Sequence, residues 1–401
     1  VSLPEYMCCN SKELKTVDFT SYVTYLPSHC FDGCSSLVSL PNTYITSMSD
    51  SVFRNCTSFN ITEWPALPYT NDGAFEGCTS LTAFKIYPSF SYIYNRTFKG
   101  CTSLTEITIP NGINYIYSEA FKDCTGLKKV TLSNSLTYLN ESVFENCTSL
   151  ETVIMGSNIS SIYDYAFKNC TSLKEIELPD TLSYLDNAAF QNCSSLKSIT
   201  IPSGVTYIYS NTFQNCTSLE EVIFNDSISG ISDYAFDNCT SLKEITLGKN
   251  ITSIYNYAFS NCTSLERFII PGTSSVYFNS YAFLNCPNLT EIDSNASYIS
   301  LSDYALGFRS GEDNTSYLPA EKTVNIITFP NINIQSYMEG YPDANISIEY
   351  KGITYHMNET GDGIIIDKIS LDISRSPSIY LPSQMNGIDI VQIGNGTVCL
   401  E

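Results

Sequence analysis

The sequence predicts a solenoid, one small coil stacked on itself about a dozen times with short parallel strands along its sides. Three observations predict it. Twelve cysteines (Cys34, Cys56, Cys78, Cys101, Cys124, Cys147, Cys170, Cys193, Cys216, Cys239, Cys262 and Cys286) follow one another at intervals of 22 to 24 residues, mostly 23. A phenylalanine stands three positions before each of them, and a leucine or phenylalanine three positions after. The apolar spacing inside one interval fits neither a long helix nor a long strand.

The interval opening at Cys170 shows the elements in order. It reads CTSLKEIELPDTLSYLDNAAFQN, with apolar positions at Leu173, Ile176, Leu178, Leu182, Leu185, Ala189 and Phe190. Leu173 to Leu178 fits the pattern L-x-x-L-x-L, the strand signature of leucine-rich repeats, whose copies in successive coils pair as a parallel sheet. Proline or glycine then ends the strand, as at Pro110, Pro179, Pro202, Gly248 and Pro271. A second short apolar run, such as Tyr207-Ile208-Tyr209, precedes a polar turn and the pair Ala-Phe. No single coil can bury its own apolar side, so stacking must set Leu over Leu, Phe over Phe and Cys over Cys.

The phrases NCTSLKEITL, LTYL and DYAFKNC resemble the repeats of BspA-type leucine-rich proteins, also called the Treponema pallidum type, over roughly residues 10 to 306. The resemblance implies a leucine-rich-repeat solenoid, secreted or displayed on a cell surface, engaged in adhesion and host interaction. One edge departs from the family: its usual glycine after the second Ile is replaced by Tyr117, Asn140 and Tyr163.

Residues 1–306 are therefore expected to be repeats of about 23 residues, 307–349 a degenerate closing segment, and 350–401 a small β-segment resembling the start of a further array. The polar run Ser310 to Ser316 reads as a loop, and Gly361 to Gly363 as a turn between antiparallel strands. The first residues start in mid-repeat, with Leu14, Val17 and Phe19 echoing the strand pattern. We expect the chain to be a segment of a longer, multi-array protein.

Of the 401 residues, 43% are hydrophobic and only 15% charged, so a long core is available and the surface must be rich in Ser, Thr, Asn and Tyr. The 20 basic and 41 acidic residues give a net charge of −21, which disfavours nucleic acid and anionic membranes as partners. No apolar run is long enough to span a bilayer. The two histidines, His29 and His356, lie far apart, and neither a P-loop nor G-x-G-x-x-G occurs. No catalytic residue, metal site or cofactor is expected, and a monomer is favoured.

Sixteen cysteines without a C-x-x-C pair do not read as a metal scaffold. Equivalent residues of stacked coils lie about 4.8 Å apart and point the same way, which opposes the dihedral of a disulfide. Cys101, Cys124, Cys147, Cys170, Cys193, Cys216, Cys239 and Cys262 are expected to form a buried, reduced ladder, each thiol donating weakly to a backbone carbonyl. Cys8, Cys9, Cys30 and Cys399 fall outside it, and a bridge from Cys30 to Cys34, or from Cys8 or Cys9, stays open. Sequons at Asn55, Asn146, Asn169, Asn192, Asn215, Asn238 and Asn261 precede ladder cysteines. They are either glycosylation acceptors or, as the repeat favours, turn residues in the left-handed region. Asn60, Asn95 and Asn358 lie outside the repeat phrase and are the better acceptors.

Two surface rows are candidates for recognition. Along the strand sheet, Glu106, Lys129, Glu175, Glu177, Glu221, Glu244 and Arg267 point outward beside Ile154, Ile223 and Ile269, the usual protein-binding face of such solenoids. Flanking the second apolar run, Tyr92, Tyr115, Tyr117, Tyr138, Tyr163, Tyr184, Tyr207 and Tyr209 should turn away from Ile93, Ile116, Leu139 and Ile208. Their rings suit protein or sugar partners, or staple neighbouring coils by stacking. The sequence thus points to a noncatalytic recognition or adhesion module for an extracellular protein, with carbohydrate binding through the tyrosine rows, or a spacer in a larger surface protein, as alternatives.

Overall fold

The computed structural model describes residues 3–19, 23–40, 45–63, 70–272, 274–302 and 304–307 in full and, from 308 onward, the backbone of ten strands. The chain is a parallel β-solenoid, with no helix among the described residues. It divides into two compact units, Val1–Val205 with Asn211–Ser218, and Thr206–Ser210 with Leu219–Glu401.

In the first unit the strands Glu106–Thr108, Lys129–Thr131 and Thr152–Ile154 form a parallel sheet in which Ile107, Val130 and Val153 lie in register and point inward. β-Branched side chains fit this half-buried pleat, and the polar residues beside them face out. The second apolar run gives shorter parallel strands, Tyr92–Ile93 with Tyr115–Ile116, and Tyr138–Leu139, Ser161–Ile162 and Tyr184–Leu185 together. Every register step equals one repeat, so like residues sit over like.

The third side of the coil is a turn edge. Here the residues five and one positions before each cysteine adopt positive φ, as Tyr165 (59°) with Asn169 (61°) and Ser142 (56°) with Asn146 (62°) do. This alternation turns every second N–H along the stack. Tyr165, Phe167 and Asn169 donate to the carbonyls of Asn187, Ala189 and Gln191 in the next coil at 2.8–3.1 Å, while Lys168 and Cys170 close turns within their own coil. The backbone polar groups of an irregular segment are thereby satisfied without a strand.

Inside, the phenylalanines stack face to face. From Phe31 through Phe53, Phe75, Phe98, Phe121, Phe144, Phe167 and Phe190 to Phe213, successive centroids lie 5.3–5.8 Å apart with planes within 15°. Offset stacking of this kind adds to the burial of the rings themselves.

In the second unit one row of parallel strands comprises Glu244–Thr246, Arg267–Ile270, Glu291–Ser294, Thr323–Ile327 and Asn345–Tyr350. The other runs Tyr207–Ile208, Gly230–Ile231, Ser253–Ile254, Val276–Phe278, Ile299–Leu301 and Ile332–Asn333. Parallel pairing therefore carries on beyond residue 306. Gly248 stands where a Cβ would lie 2.0 Å from the Asn225 carbonyl oxygen, so only glycine lets the coils close there. Past Asn345–Tyr350 the strands Ile353–Met357 and Gly363–Leu371 pair antiparallel, and Gly363–Leu371 then takes Ile388–Ile393 and Val398–Leu400 as parallel neighbours.

Two local expectations need correction. Ser310 to Ser316 is not simply a loop: Phe308–Ser310 and Thr315–Tyr317 pair antiparallel, so both ends of the run lie in strands. Leu173 to Leu178, the stretch with the clearest strand signature, forms no strand. Glu175 and Glu177 project outward together beside Asp180, and no ion pair among the described residues neutralises them. Two carboxylates two positions apart on one short strand repel each other when neither is paired. Glu291 and Asp293 are a comparable pair, but Arg267 meets Glu291, and there the strand forms. Residues 361 and 362 of the expected glycine turn, and Asn358, lie outside the described residues.

Candidate functional site

The strand face carries the first row of candidates. Glu106 and Lys129 are exposed on their strands, as are Glu221 and Glu244, whereas Arg267 is half-buried. Glu175 and Glu177 are exposed within the interrupted coil. Ile154 and Ile223 are 48% and 49% exposed, at a position that four other coils give to threonine, as Thr108, Thr131, Thr200 and Thr246. Each stands in an open groove. The one in the first unit, about 770 Å³, runs over Thr152–Ile154, Glu175–Asp180 and Ser198–Thr200. The one in the second unit, about 950 Å³, lies over Glu221–Ile223 and Glu244.

The electrostatics of the grooves differ. In the second unit Arg267 bridges Glu244 (2.9 Å) and Glu291 (2.8 Å), and Lys249 meets Asp226 at 2.8 Å, its hydrogen bonds holding that carboxyl below its ordinary range. In the first unit Glu151, Glu175, Glu177 and Asp180 line the groove with no base among the lining residues.

The tyrosines turn outward as expected, with Ile93, Ile116, Leu139, Ile162 and Ile208 fully buried behind them. In the first unit they interlock. Tyr94 stacks on Tyr117 at 5.4 Å, and tilted contacts at 5.8–6.3 Å link Tyr92 to Tyr115, Tyr115 to Tyr138, Tyr138 to Tyr163 and Tyr163 to Tyr184. Tyr115 and Tyr117 are 37% exposed, and the others are half-buried. In the second unit Tyr207 touches Tyr209 and lies over Gly230, where any Cβ would strike its ring. Beside the first patch, Asp186 is pushed upward in pKa by burial and by the nearby Asp164 carboxylate.

The cysteine ladder is buried and reduced among the described residues. From Cys56 through Cys216 each thiol donates to the phenylalanine carbonyl of the preceding coil at 3.0–3.3 Å, while Cys34 donates to the Cys8 carbonyl at 2.9 Å. Cys262 and Cys286 do the same to Phe236 and Phe259. Burial raises these thiols, Cys34 to about 11 and Cys124 and Cys193 to about 12. Cys8, Cys9 and Cys30 are free, so the bridges left open do not form, and Cys399 lies where side chains are not described.

A second ladder escaped sequence reasoning. Asn215 Nδ2 donates to Asn192, Asn192 to Asn169, Asn169 to Asn146 and Asn146 to Asp123, all at 2.6–2.7 Å. These amides hold the left-handed turn from coil to coil, which is the structural role the sequons were expected to serve. Also unforeseen is the row Lys99, Glu119, Lys122 and Glu145, paired at 2.6, 3.5 and 2.9 Å. The signal was available: opposite charges recur there about one repeat apart. In the second unit the same edge instead stacks Tyr234, Tyr257, Tyr281 and Tyr304 at 4.8–5.4 Å.

His29 pairs with Asp32 at 2.9 Å and stacks on Tyr6. Among the described residues there is no metal-binding group of three His, Cys, Asp or Glu, and no helix long and apolar enough to cross a membrane.

Three regions, 1–124, 91–220 and 184–311, match the family of the BspA type leucine rich repeat region. No curated protein sequence matches. Among solved structures, a leucine-rich repeat protein from Bacteroides ovatus superposes with a TM-score of 0.63 at 24% identity, covering 84% of this chain and 92% of that one. A leucine rich repeat protein of T. pallidum gives 0.37 at 25% identity over 40% and 77% of the two chains. A leucine rich cell surface protein from Faecalibacterium prausnitzii gives 0.39 at 23% over 69% and 85%. The first of these shows the fold.

Proposed function

We propose that this chain, which belongs to the BspA-type leucine-rich repeat proteins, is a noncatalytic recognition or adhesion module that binds an extracellular protein through its strand face, secreted or at a cell surface. The observation that carries this reading is the pair of nearly half-exposed isoleucines, Ile154 and Ile223, each standing in an open groove on that face. Large apolar side chains held out on a rigid sheet, rimmed by carboxylates, have the composition of a protein-binding patch. A stacked solenoid presents them at little ordering cost.

Carbohydrate binding has an observation of its own. Tyr92, Tyr94, Tyr115, Tyr117, Tyr138, Tyr163 and Tyr184 form one patch with the half-buried Asp164 carboxylate beside it, an aromatic platform with a hydrogen-bond acceptor at its border.

The test is a binding screen of the purified chain on an array of extracellular host proteins, mucin and plant glycans. Protein binding predicts a salt-sensitive hit weakened by charge reversal at Glu175, Glu221 or Glu244. Glycan binding predicts a hit indifferent to those changes and lost with Tyr115→Ala or Tyr138→Ala. Silence on the whole array would refute both and leave a spacer.

A further inference from the structure

The interrupted coil of the first unit differs from its neighbours in three ways that bear on what could dock there. The first is backbone. Thr152–Ile154 pairs with the strand before it, but no backbone hydrogen bond joins Glu175–Leu178 to the coils on either side. Met155 N–H and Leu178 N–H lack the carbonyl partners that Leu132 N–H finds on Ile154 (2.9 Å) and Leu247 N–H finds on Ile269 (2.9 Å). The peptide groups along this stretch are left without backbone partners, and unpaired strand backbone invites a partner chain.

The second is apolar area. Ile154, Met155, Leu178 and Pro179 all reach solvent beside this gap. Val153 and Ile176 keep 8% and 7% exposure, where Val130 and Ile245 at the same position have none.

The third is charge. Glu151, Glu175, Glu177 and Asp180 take part in no ion pair among the described residues. The groove of the second unit has a similar apolar centre, yet two of its four carboxylates are paired, Glu244 with Arg267 and Asp226 with Lys249, and Lys243 stands among its lining residues. Such a rim attracts positive charge, while the open peptide groups and apolar floor set the shape of the occupant.

We propose that the groove at Glu175–Leu178 holds an extended segment of the partner protein in which lysine or arginine residues flank a single aliphatic side chain. The aliphatic residue seats beside Ile154 and Leu178, and the flanking cations reach Glu175, Glu177 and the unpaired carbonyls of the gap. This rests on the protein-binding reading above and narrows it to one site and one partner chemistry.

The probe is a labelled peptide of alternating lysine and threonine with one central leucine, titrated against the full chain by fluorescence anisotropy. A counterpart with glutamate for lysine serves as control. The cationic peptide should bind and the acidic one should not. Glu175→Gln combined with Glu177→Gln should weaken binding about tenfold and flatten its salt dependence. Ile154→Thr, which installs the residue of other coils, should weaken it about as much while leaving the salt dependence in place. Glu221→Gln combined with Glu244→Gln, on the other groove, should change it less than about twofold.

Equal weakening by the two glutamine pairs would mean attraction by the net charge of the protein, and would overturn the proposal. Absence of peptide binding would overturn it as well. If the array still finds a protein ligand in that case, the recognition reading survives without this site. If the array is silent too, both fall.

Discussion

The turn edge and the strand edge belong to the same coils and answer to opposite demands. Along the turn edge each coil repeats its neighbour: phenylalanine on phenylalanine, thiol on carbonyl, amide on amide. Along the strand edge the inward residues keep that discipline, while outward ones change from glutamate to lysine to threonine to isoleucine, and one coil abandons pairing altogether. Repetition marks the edge that holds the stack together. Variation marks the edge free to meet something else.

The contrast breaks most severely at high pH. Burial keeps the folded thiols protonated above their ordinary 9.0, so their contribution to stability is complete below about pH 9. It is lost as pH rises through the folded values, about 12 for Cys124 and Cys193. In that window each thiol that ionises only in the unfolded chain removes about 1.4 kcal/mol per pH unit, and several act together. The melting temperature should fall steeply above pH 9, and a flat profile would show that the thiols are not buried in the folded state.

Phe190→Ala comes next. It opens a cavity in a stack whose rings sit 5.3 and 5.6 Å from Phe190 and should cost about 3–5 kcal/mol. Because coils support only their neighbours, hydrogen exchange should report faster opening near residues 167–213 than further away. An unaltered melting curve would contradict the stacking account.

Asn169→Ala removes one rung of the amide ladder, leaving the Asn192 amide without its acceptor and placing alanine at positive φ. A loss of about 1–2 kcal/mol is expected from denaturant midpoints. The smallest effect should be on the other edge. Glu177→Thr relieves the carboxylate pair and should raise stability by about 0.2–1 kcal/mol, while strengthening amide protection at Leu178 as the strand forms. Lower stability in this variant would mean that charge is not what keeps the coil unpaired.

Most of the architecture was legible because a period is hard to counterfeit. The cysteine spacing fixes the coil, and the buried residues at Leu173, Leu182, Leu185 and Phe190 follow from their place in it. The reduced thiols followed from parallel side-chain directions, and the left-handed asparagines from turn chemistry. The interrupted strand was not legible, since L-x-x-L-x-L records only which residues go inward. Whether the strand pairs depends also on outward residues such as Glu175 and Glu177, which the motif ignores. The amide ladder was hidden behind the sequon, because N-C-T reads the same whether its amide meets a sugar or another amide. The hairpin at Phe308–Ser310 lay outside the period and had no repeat to expose it.

The two left-handed residues that each coil carries bear on how the chain comes to be folded. For residues such as Tyr165, Glu119 and Ser142, φ near +60° costs about 1–2 kcal/mol, and nothing within one coil returns it. The return comes only when the N–H groups this twist turns outward find the carbonyls of the following coil. A solitary coil is therefore uphill, and a pair recovers the cost for one of its members. Folding must begin with the rare meeting of several adjacent coils and then spread along the chain, each finished coil serving as the template on which the next is cast.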